Sequence, residues 1–73
     1  MYDLGACFKR IRTEKGVTQK QVAEGIGITD RQYQYYEYGK QTPSALLLCA
    51  LADFFNVSLD YLVGRSDDPE RRV

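Results

Sequence analysis

The sequence predicts an all-α fold, a compact bundle of about five short helices. Apolar residues recur three and four positions apart along much of the chain, which is the spacing of one face of a helix. Residue types that start and stop helices lie between these stretches. The chain has 73 residues, of which 44% are hydrophobic and 27% are charged, a composition typical of one small globular domain.

Residues 18–39 contain two helix start signals of the same kind. Thr18 is followed three residues later by Gln21, and Thr29 is followed in the same way by Gln32. Both pairs fit a capping box, in which a hydroxyl and an amide satisfy free N–H groups at the beginning of a helix. The stretch therefore predicts two short helices in close succession.

The residues between and along these two helices indicate how they pack. Gly27 separates them, and glycine ends a helix in the left-handed conformation at little steric cost. Ala23 is placed where the helices would cross, and only a small side chain permits close approach there. The larger apolar residues share one face of each helix, Val22 and Ile26 in the first and Tyr33 and Tyr36 in the second. The pattern is that of a helix-turn-helix, which can present its second helix to the DNA major groove.

The remaining elements follow from the same signals. We expect helices at about 3–15, 19 to 25 or 26, 30–38, 44–55 and 58–63. Gly5 and Gly25 are weak helix formers, and Gly25 is expected to fray the last turn of the second helix. The helices form one domain over residues 1–64, with the motif at 19–38 and its second helix, the recognition helix, at about 30–38. Residues 65–73 are polar and charged, and we expect a disordered tail there.

Residues 19–38 resemble the helix-turn-helix of the lambda-repressor/Cro-like family, also called the xenobiotic-response-element family. The matching residues inside the motif are Gln19, Val22, Ala23, Ile26, Gly27, Tyr33, Tyr36, Glu37 and Gly39. Those outside it are Arg12, Gly16, Pro43, Ser44, Leu48, Leu51, Ala52, Phe55, Val57 and the stretch 58–64. The resemblance covers nearly the whole chain. It implies a lambda-repressor-like DNA-binding domain of a bacterial or phage transcriptional regulator, a repressor that binds a specific double-stranded DNA site.

The resemblance also implies roles for individual residues. An arginine at the position of Arg12 pairs with a glutamate at the position of Glu37, which would clamp helix one against helix three. Base-reading residues carried over by position are Asp30, Arg31 and Tyr35. Arg31 is the first choice, because a guanidinium can bind guanine O6 and N7 together. Asp30 either accepts from cytosine N4, orients Arg31, or is a charge favoured by the helix dipole.

The DNA interface expected from the sequence extends beyond these base readers. Gln19, at the start of helix two, is placed to bind a phosphate. Lys40 and Gln41, in the loop after helix three, would contact the sugar–phosphate backbone. Gln32 and Gln34 would contact bases or phosphates. The complete candidate set is Gln19, Thr29, Asp30, Arg31, Gln32, Gln34, Tyr35, Lys40 and Gln41.

Charge distribution gives partial support to this interface. The formal net charge is zero, whereas DNA-binding domains often carry a basic surplus. Up to Lys40, however, the chain has seven basic and five acidic residues. Lys9, Arg10 and Lys15, on the exposed face of helix one, are either solvated charges or phosphate contacts. The positive field is weak, so we expect weak non-specific DNA binding.

A rival hypothesis is a protein-interaction module, such as an antitoxin-like partner or an accessory subunit that does not read DNA. The zero net charge, Asp30 and an unusually apolar helix four favour it, while Arg31, Gln19 and Lys40 favour DNA. Helix four carries a second apolar stripe that is either extra core or a contact surface. Because one such domain covers few base pairs, we expect a homodimer at least on DNA. The candidate dimer surface consists of Leu47, Ala50, Phe54 and Leu59.

Other classes of function find little support. Without histidine, a Gly-rich phosphate loop or clustered carboxylates, an enzyme lacks its usual catalytic groups. Cys7 and Cys49 alone cannot build a structural zinc site; they form either a disulfide or, as we expect, two small buried side chains in a reducing compartment. We therefore expect no cofactor, no metal and no small-molecule ligand. Because the longest apolar run, 45–52, is too short for a membrane span, and the start lacks a secretory signal pattern, we expect a cytoplasmic protein.

Overall fold

A computed structural model describes residues 3–70 of the chain. Within these residues there are five helices and no strand, so the expected all-α bundle is confirmed. The helices are α1 Leu4–Lys15, α2 Gln19–Ile26, α3 Asp30–Glu37, α4 Ala45–Phe55 and α5 Leu59–Leu62. Each lies within the range that the sequence predicts. The first two residues of the expected domain and the last three of the expected tail lie outside the described residues.

Every helix begins after a residue whose side chain caps it. In each case the cap oxygen accepts the backbone N–H three residues later, and the caps are Asp3, Thr18, Thr29, Ser44 and Ser58. The box at α2 is complete, because Gln21 also accepts the Thr18 N–H at 2.8 Å. The box expected at α3 is only half formed. Gln32 donates its backbone N–H to the Thr29 hydroxyl at 3.1 Å, but its side-chain amide binds elsewhere.

One hydrophobic core joins all five helices. The spacing of three and four residues places the buried side chains of each helix on its inward face. Tyr33 and Tyr36 are part of this core, as their spacing predicts, with 0% and 4% of their surfaces exposed. The buried apolar residues are Phe8, Ile11, Val22, Ala23, Tyr33, Tyr36, Leu51, Ala52, Phe55, Val57 and Leu62.

Two helical glycines allow close contacts that the sequence did not reveal. A Cβ atom built at Gly5 would lie 2.9 Å from the carbonyl oxygen of Tyr36 and closer still to that of Glu37, so α1 and α3 meet backbone to backbone. A Cβ atom at Gly25 would overlap the ring of Phe54, which lies over this point of α2. α2 continues past Gly25 to Ile26, the later of its two expected ends.

Contacts between α1 and α5 give Arg10 a partner. Its guanidinium lies 5.3 Å from the centre of the Tyr61 ring, a cation–π arrangement. The Tyr61 hydroxyl donates to Oε1 of Glu14 at 3.0 Å. This hydrogen bond, together with burial, raises the pKa of Tyr61. Arg10 is therefore not simply a solvated charge on the outer face of α1.

The structure also places the segment after α5 and the two cysteines. Ser58 donates its backbone N–H to the carbonyl oxygen of Pro69 at 3.1 Å, so the first part of the expected disordered tail lies against the start of α5. Both cysteines are free thiols. Cys7 is half-buried, but Cys49 is exposed, and the expectation that it is buried was wrong, because it lies outside the inward stripe of α4. No helix among the described residues is long and apolar enough to cross a membrane.

Candidate nucleic-acid interface

The turn between α2 and α3 has the geometry that the sequence predicts. Gly27 has a φ of 79°, in the left-handed region that favours glycine. The next residue, Ile28, donates its N–H to the carbonyl oxygen of Ala23 at 3.0 Å, which closes the end of α2. Ala23 itself is fully buried, as expected where two helices pack closely. These features fix α3 across α2 and leave its outer face open to solvent.

An ion pair locks α3 against α1. Nε of Arg12 donates to Oε2 of Glu37 at 2.6 Å, and Nη2 donates to Oε1 at 3.3 Å. Nη1 of the same guanidinium donates to the carbonyl oxygen of Val17, at 3.1 Å, in the α1–α2 loop. Gln19 adds a third donor, because its Nε2 binds Oε1 of Glu37 at 3.1 Å. The carboxylate therefore connects α1, the first turn of α2 and the end of α3, and the pairing of Arg12 with Glu37 is the one that the resemblance implies.

The buried carboxylate stays ionised because its surroundings favour the charged form. Burial raises the pKa of Glu37, but the hydrogen bonds from Arg12 and Gln19 outweigh it, and the pKa lies below its ordinary value. The same pair raises the pKa of Arg12. Burial, with the nearby carboxylate, also raises the pKa of Tyr33. The Tyr33 hydroxyl faces this group but reaches no hydrogen-bond geometry with any described residue.

The outer face of α3 carries the side chains expected to read bases. Asp30 and Arg31 are exposed, and Gln34 and Tyr35 are half-buried. None of these four side chains makes a hydrogen bond or ion pair with another residue in the part of the chain that the structure describes. The face thus presents one cation, one anion, one amide and one phenol, all free to bind a partner.

Four residues of the predicted interface, Gln19, Thr29, Gln32 and Gln41, make side-chain hydrogen bonds within the protein. The Gln19 amide donates inward to Glu37. The Gln32 amide donates to the Tyr36 hydroxyl and to Gln41, and the Thr29 hydroxyl caps α3. Local sequence could not reveal these contacts, because Glu37 lies 18 residues from Gln19 and Gln32 lies 9 residues from Gln41.

The first turn of α2 still offers donors to an anion. The N–H groups of Gln19 and Lys20 have no acceptor among the described residues, since the capping box satisfies Thr18 and Gln21 instead. Free N–H groups at the start of a helix are suited to bind a phosphate. At Gln19 the backbone N–H is therefore free among the described residues, whereas the side-chain amide is bound to Glu37.

The loop after α3 lies beside the recognition helix. Lys40 and Gln41 donate their backbone N–H groups to the carbonyl oxygen of Tyr35, at 2.9 and 3.4 Å. Gly39 makes the required bend with a φ of 77°. The buried Pro43 then leads into α4. These two bonds hold the loop against the end of α3, and the side chains of Lys40 and Gln41 are exposed.

Comparison with known proteins decides the family. The model of the helix-turn-helix family, of the lambda-repressor-like or xenobiotic-response-element type, matches residues 8–62. The chain belongs to this helix-turn-helix family. The match runs from Phe8, within α1, to the last residue of α5 and includes the ion pair, the turn and α3.

Several relatives are similar over most of this helix-turn-helix chain. The HTH-type transcriptional regulator YobD of Bacillus subtilis is 37% identical over 90% of the chain and 59% of its own length. The cryptic phage CTXphi transcriptional repressor RstR of Vibrio cholerae is 37% identical over 82% of the chain and 54% of its own length. A crystal structure of a transcriptional regulator from Listeria innocua superposes with a TM-score of 0.81 and 29% identity, covering 93% of this chain and 64% of that one. The chain thus spans little more than half the length of these curated relatives.

In this helix-turn-helix domain the candidate dimer surface is only partly exposed. Leu47 is half-buried and packs against the core, and Ala50 is half-buried. Phe54 is 36% exposed with its ring over Gly25, and Leu59 is 45% exposed. The most exposed apolar side chain of α4 is Leu46, at 83%, which the sequence reasoning missed because it lies outside the predicted stripe.

Proposed function

We propose that this chain is the DNA-binding domain of a bacterial or phage transcriptional regulator, a repressor that binds a specific double-stranded DNA site. The observation that carries the proposal is the outer face of α3, where four polar side chains have no partner among residues 3–70 while the opposite face packs into the core. A second helix presented in this way can enter the major groove. The names of the related regulators and of the repressor RstR support the same function.

Base reading is assigned to the outer face of α3. Arg31 extends from the first turn, and its guanidinium can bind O6 and N7 of a guanine, a contact worth about 1–3 kcal/mol of discrimination. Asp30 can accept from cytosine N4 or hold Arg31 in position. Gln34 can pair with adenine or bind a phosphate. Tyr35 offers a ring edge to a thymine methyl group or its hydroxyl to a phosphate.

Phosphate contacts on either side of α3 would fix the position of this helix along the DNA. The free N–H groups of Gln19 and Lys20 would bind a phosphate at the start of α2. Lys40 and Gln41 would bind a second phosphate from the loop after α3. Such contacts carry no sequence information, but they hold the recognition helix at a fixed depth and angle.

The network around Glu37 holds α2 and α3 in a fixed relative orientation from inside the protein. Arg12 and Gln19 both donate to its carboxylate, so the start of α2 and the end of α3 are tied to one buried anion. A partly buried ion pair contributes little net stability compared with apolar packing, because desolvation offsets the attraction. We therefore assign it to the orientation of the two DNA-contacting helices.

Binding as a homodimer would give the domain useful specificity. One recognition helix reads few base pairs, and two helices related by a two-fold axis would read half-sites about one helical turn apart. The exposed parts of Phe54 and Leu59, with the half-buried Leu47 and Ala50, form the proposed contact surface. Because the DNA target lies in the cytoplasm of a bacterial cell, we assign the protein to that compartment.

The experiment that tests this function is the salt dependence of DNA binding. If the domain clamps phosphates, the logarithm of its affinity for duplex DNA falls linearly with the logarithm of the salt concentration, by about 0.9 for each phosphate contact. Lys40→Ala should reduce that slope by about one. Arg65→Ala, which removes a cation after α5, is the matched control and should leave the slope unchanged. A flat salt dependence would favour the protein-interaction module instead.

A further inference from the structure

The Gln32 side chain contacts the loop after α3 instead of extending toward the proposed DNA groove. Its Nε2 donates one hydrogen to the hydroxyl of Tyr36 at 2.8 Å and the other to Oε1 of Gln41 at 2.7 Å. An amide nitrogen has two hydrogens, so both donors of Gln32 are used. Tyr36 is 4% exposed and belongs to the core, so one end of this arrangement is fixed. The other end is the exposed loop side chain of Gln41.

In this contact the nitrogen end of the Gln41 amide faces outward. Oε1 of Gln41 accepts from Gln32, and its Nε2 has no acceptor among the described residues. Two N–H donors therefore remain for an external group, next to the exposed ammonium of Lys40. Donors with a neighbouring cation suit an anion such as a phosphate oxygen. The reverse orientation would present a carbonyl oxygen, which a phosphate repels.

We propose that Gln32 is a positioning residue, which holds the Gln41 side chain so that its amide N–H groups and Lys40 together bind one DNA phosphate. The proposal rests on the proposed function and makes it more specific, since Gln32 then reads no base. The backbone bonds from Lys40 and Gln41 to Tyr35 place the loop, and Gln32 sets the side-chain orientation within it. Through the Gln32 side chain, the phosphate contact of the loop is thus coupled to the position of α3.

The test is a double-mutant cycle on a defined probe. The probe is the duplex that the wild-type chain enriches from a random library, and dissociation constants are measured for Gln32→Ala, Gln41→Ala and the double variant. Each single change should weaken binding about two- to tenfold, the range for one hydrogen bond. The double variant should bind about as weakly as Gln41→Ala alone, because Gln32 acts through Gln41. The base preference of Gln32→Ala in a repeated selection should match that of the wild type.

Two further measurements distinguish the positioning role of Gln32 from a general structural effect of this residue on α3. One uses its core partner, Tyr36, and the other is made on the free protein without DNA. Tyr36→Phe removes the buried hydroxyl but keeps the bond to Gln41, so it should bind DNA like the wild type. In the free protein, the side-chain amide protons of Gln32 should exchange more slowly than those of Gln41. The reverse order of exchange would overturn the assigned orientation whether or not DNA binds.

The remaining outcomes distinguish a failure of the positioning role of Gln32 from a failure of the proposed DNA-binding function. Losses that add in the double variant, or an altered base preference for Gln32→Ala, would refute the positioning role and leave the DNA-binding function intact. If the wild-type chain enriches no duplex and shows no salt-dependent binding, the proposed function and the positioning role fall together.

Discussion

Replacing Gly5 by alanine should destabilise the domain even though alanine is the better helix former. The added Cβ would lie 2.9 Å from the carbonyl carbon of Glu37 and from the carbonyl oxygen of Tyr36, whereas ordinary contact begins at 3.4 Å. Backbone atoms cannot rotate away, so α1 and α3 must separate by at least about 0.5 Å. The separation also pulls on Glu37, which holds Arg12 at 2.6 Å.

The size of the effect follows from two opposed contributions. Overpacking of a close contact costs about 1–3 kcal/mol. Alanine regains about 1 kcal/mol of helix propensity over glycine, and the loosened ion pair adds a further cost. We expect a net loss of about 2 kcal/mol, which lowers the Tm of a domain this small by about 8–16 °C.

Thermal unfolding followed by far-ultraviolet circular dichroism measures this loss directly. Ala6→Gly, at the neighbouring exposed position of α1, is the matched control, because it changes helix propensity without a tertiary contact. That variant should lose about 1 kcal/mol. An unchanged or higher Tm for Gly5→Ala would refute the close approach of α1 and α3.

Three further predictions concern the buried network and the dimer surface. Because the folded pKa of Glu37 lies below the ordinary value of 4.5, its contribution to stability is complete above that pH and is lost as the pH falls through the folded pKa. The Tm of the wild type should thus fall more steeply below pH 4.5 than that of Glu37→Gln, and parallel curves would contradict this. Tyr33→Phe removes a buried hydroxyl that has no hydrogen bond to any described residue, and should leave the stability in urea unchanged or raise it by up to about 1 kcal/mol. A loss above about 1 kcal/mol would show that the hydroxyl donates to Glu37. Leu59→Glu should weaken binding to a duplex with two half-sites by about tenfold, with single-half-site binding and Tm unchanged; equal losses on both duplexes would exclude Leu59 from the dimer contact.

Local signals were sufficient to predict the helices. A cap residue and the backbone N–H that it accepts lie three residues apart, so Thr18 and Ser58 could be recognised as helix starts from sequence alone. The left-handed residue after a helix is equally local, as at Gly27. Apolar spacing placed Tyr33 and Tyr36 in the core for the same reason.

Features that depend on distant partners could not be predicted in this way. Gly5 and Gly25 read as weak points of their helices, but each lies against a residue about 30 positions away that only the folded chain brings near. The Gln32 side chain fits a capping box by spacing, yet its Nε2 donates to Tyr36 and Gln41 and its Oε1 does not cap α3. The roles of the DNA-facing residues stay predictions, because base recognition is a property of the complex and not of the free domain.

Selection of bound duplexes from a random library would show whether α3 reads DNA sequence through Arg31. The selection would be run at moderate salt on the wild type and on Arg31→Ala in parallel. We predict an enriched palindrome with half-sites about one helical turn apart, degraded by Arg31→Ala at one position in each half. The absence of any enriched sequence from a folded wild-type protein would contradict sequence reading by α3.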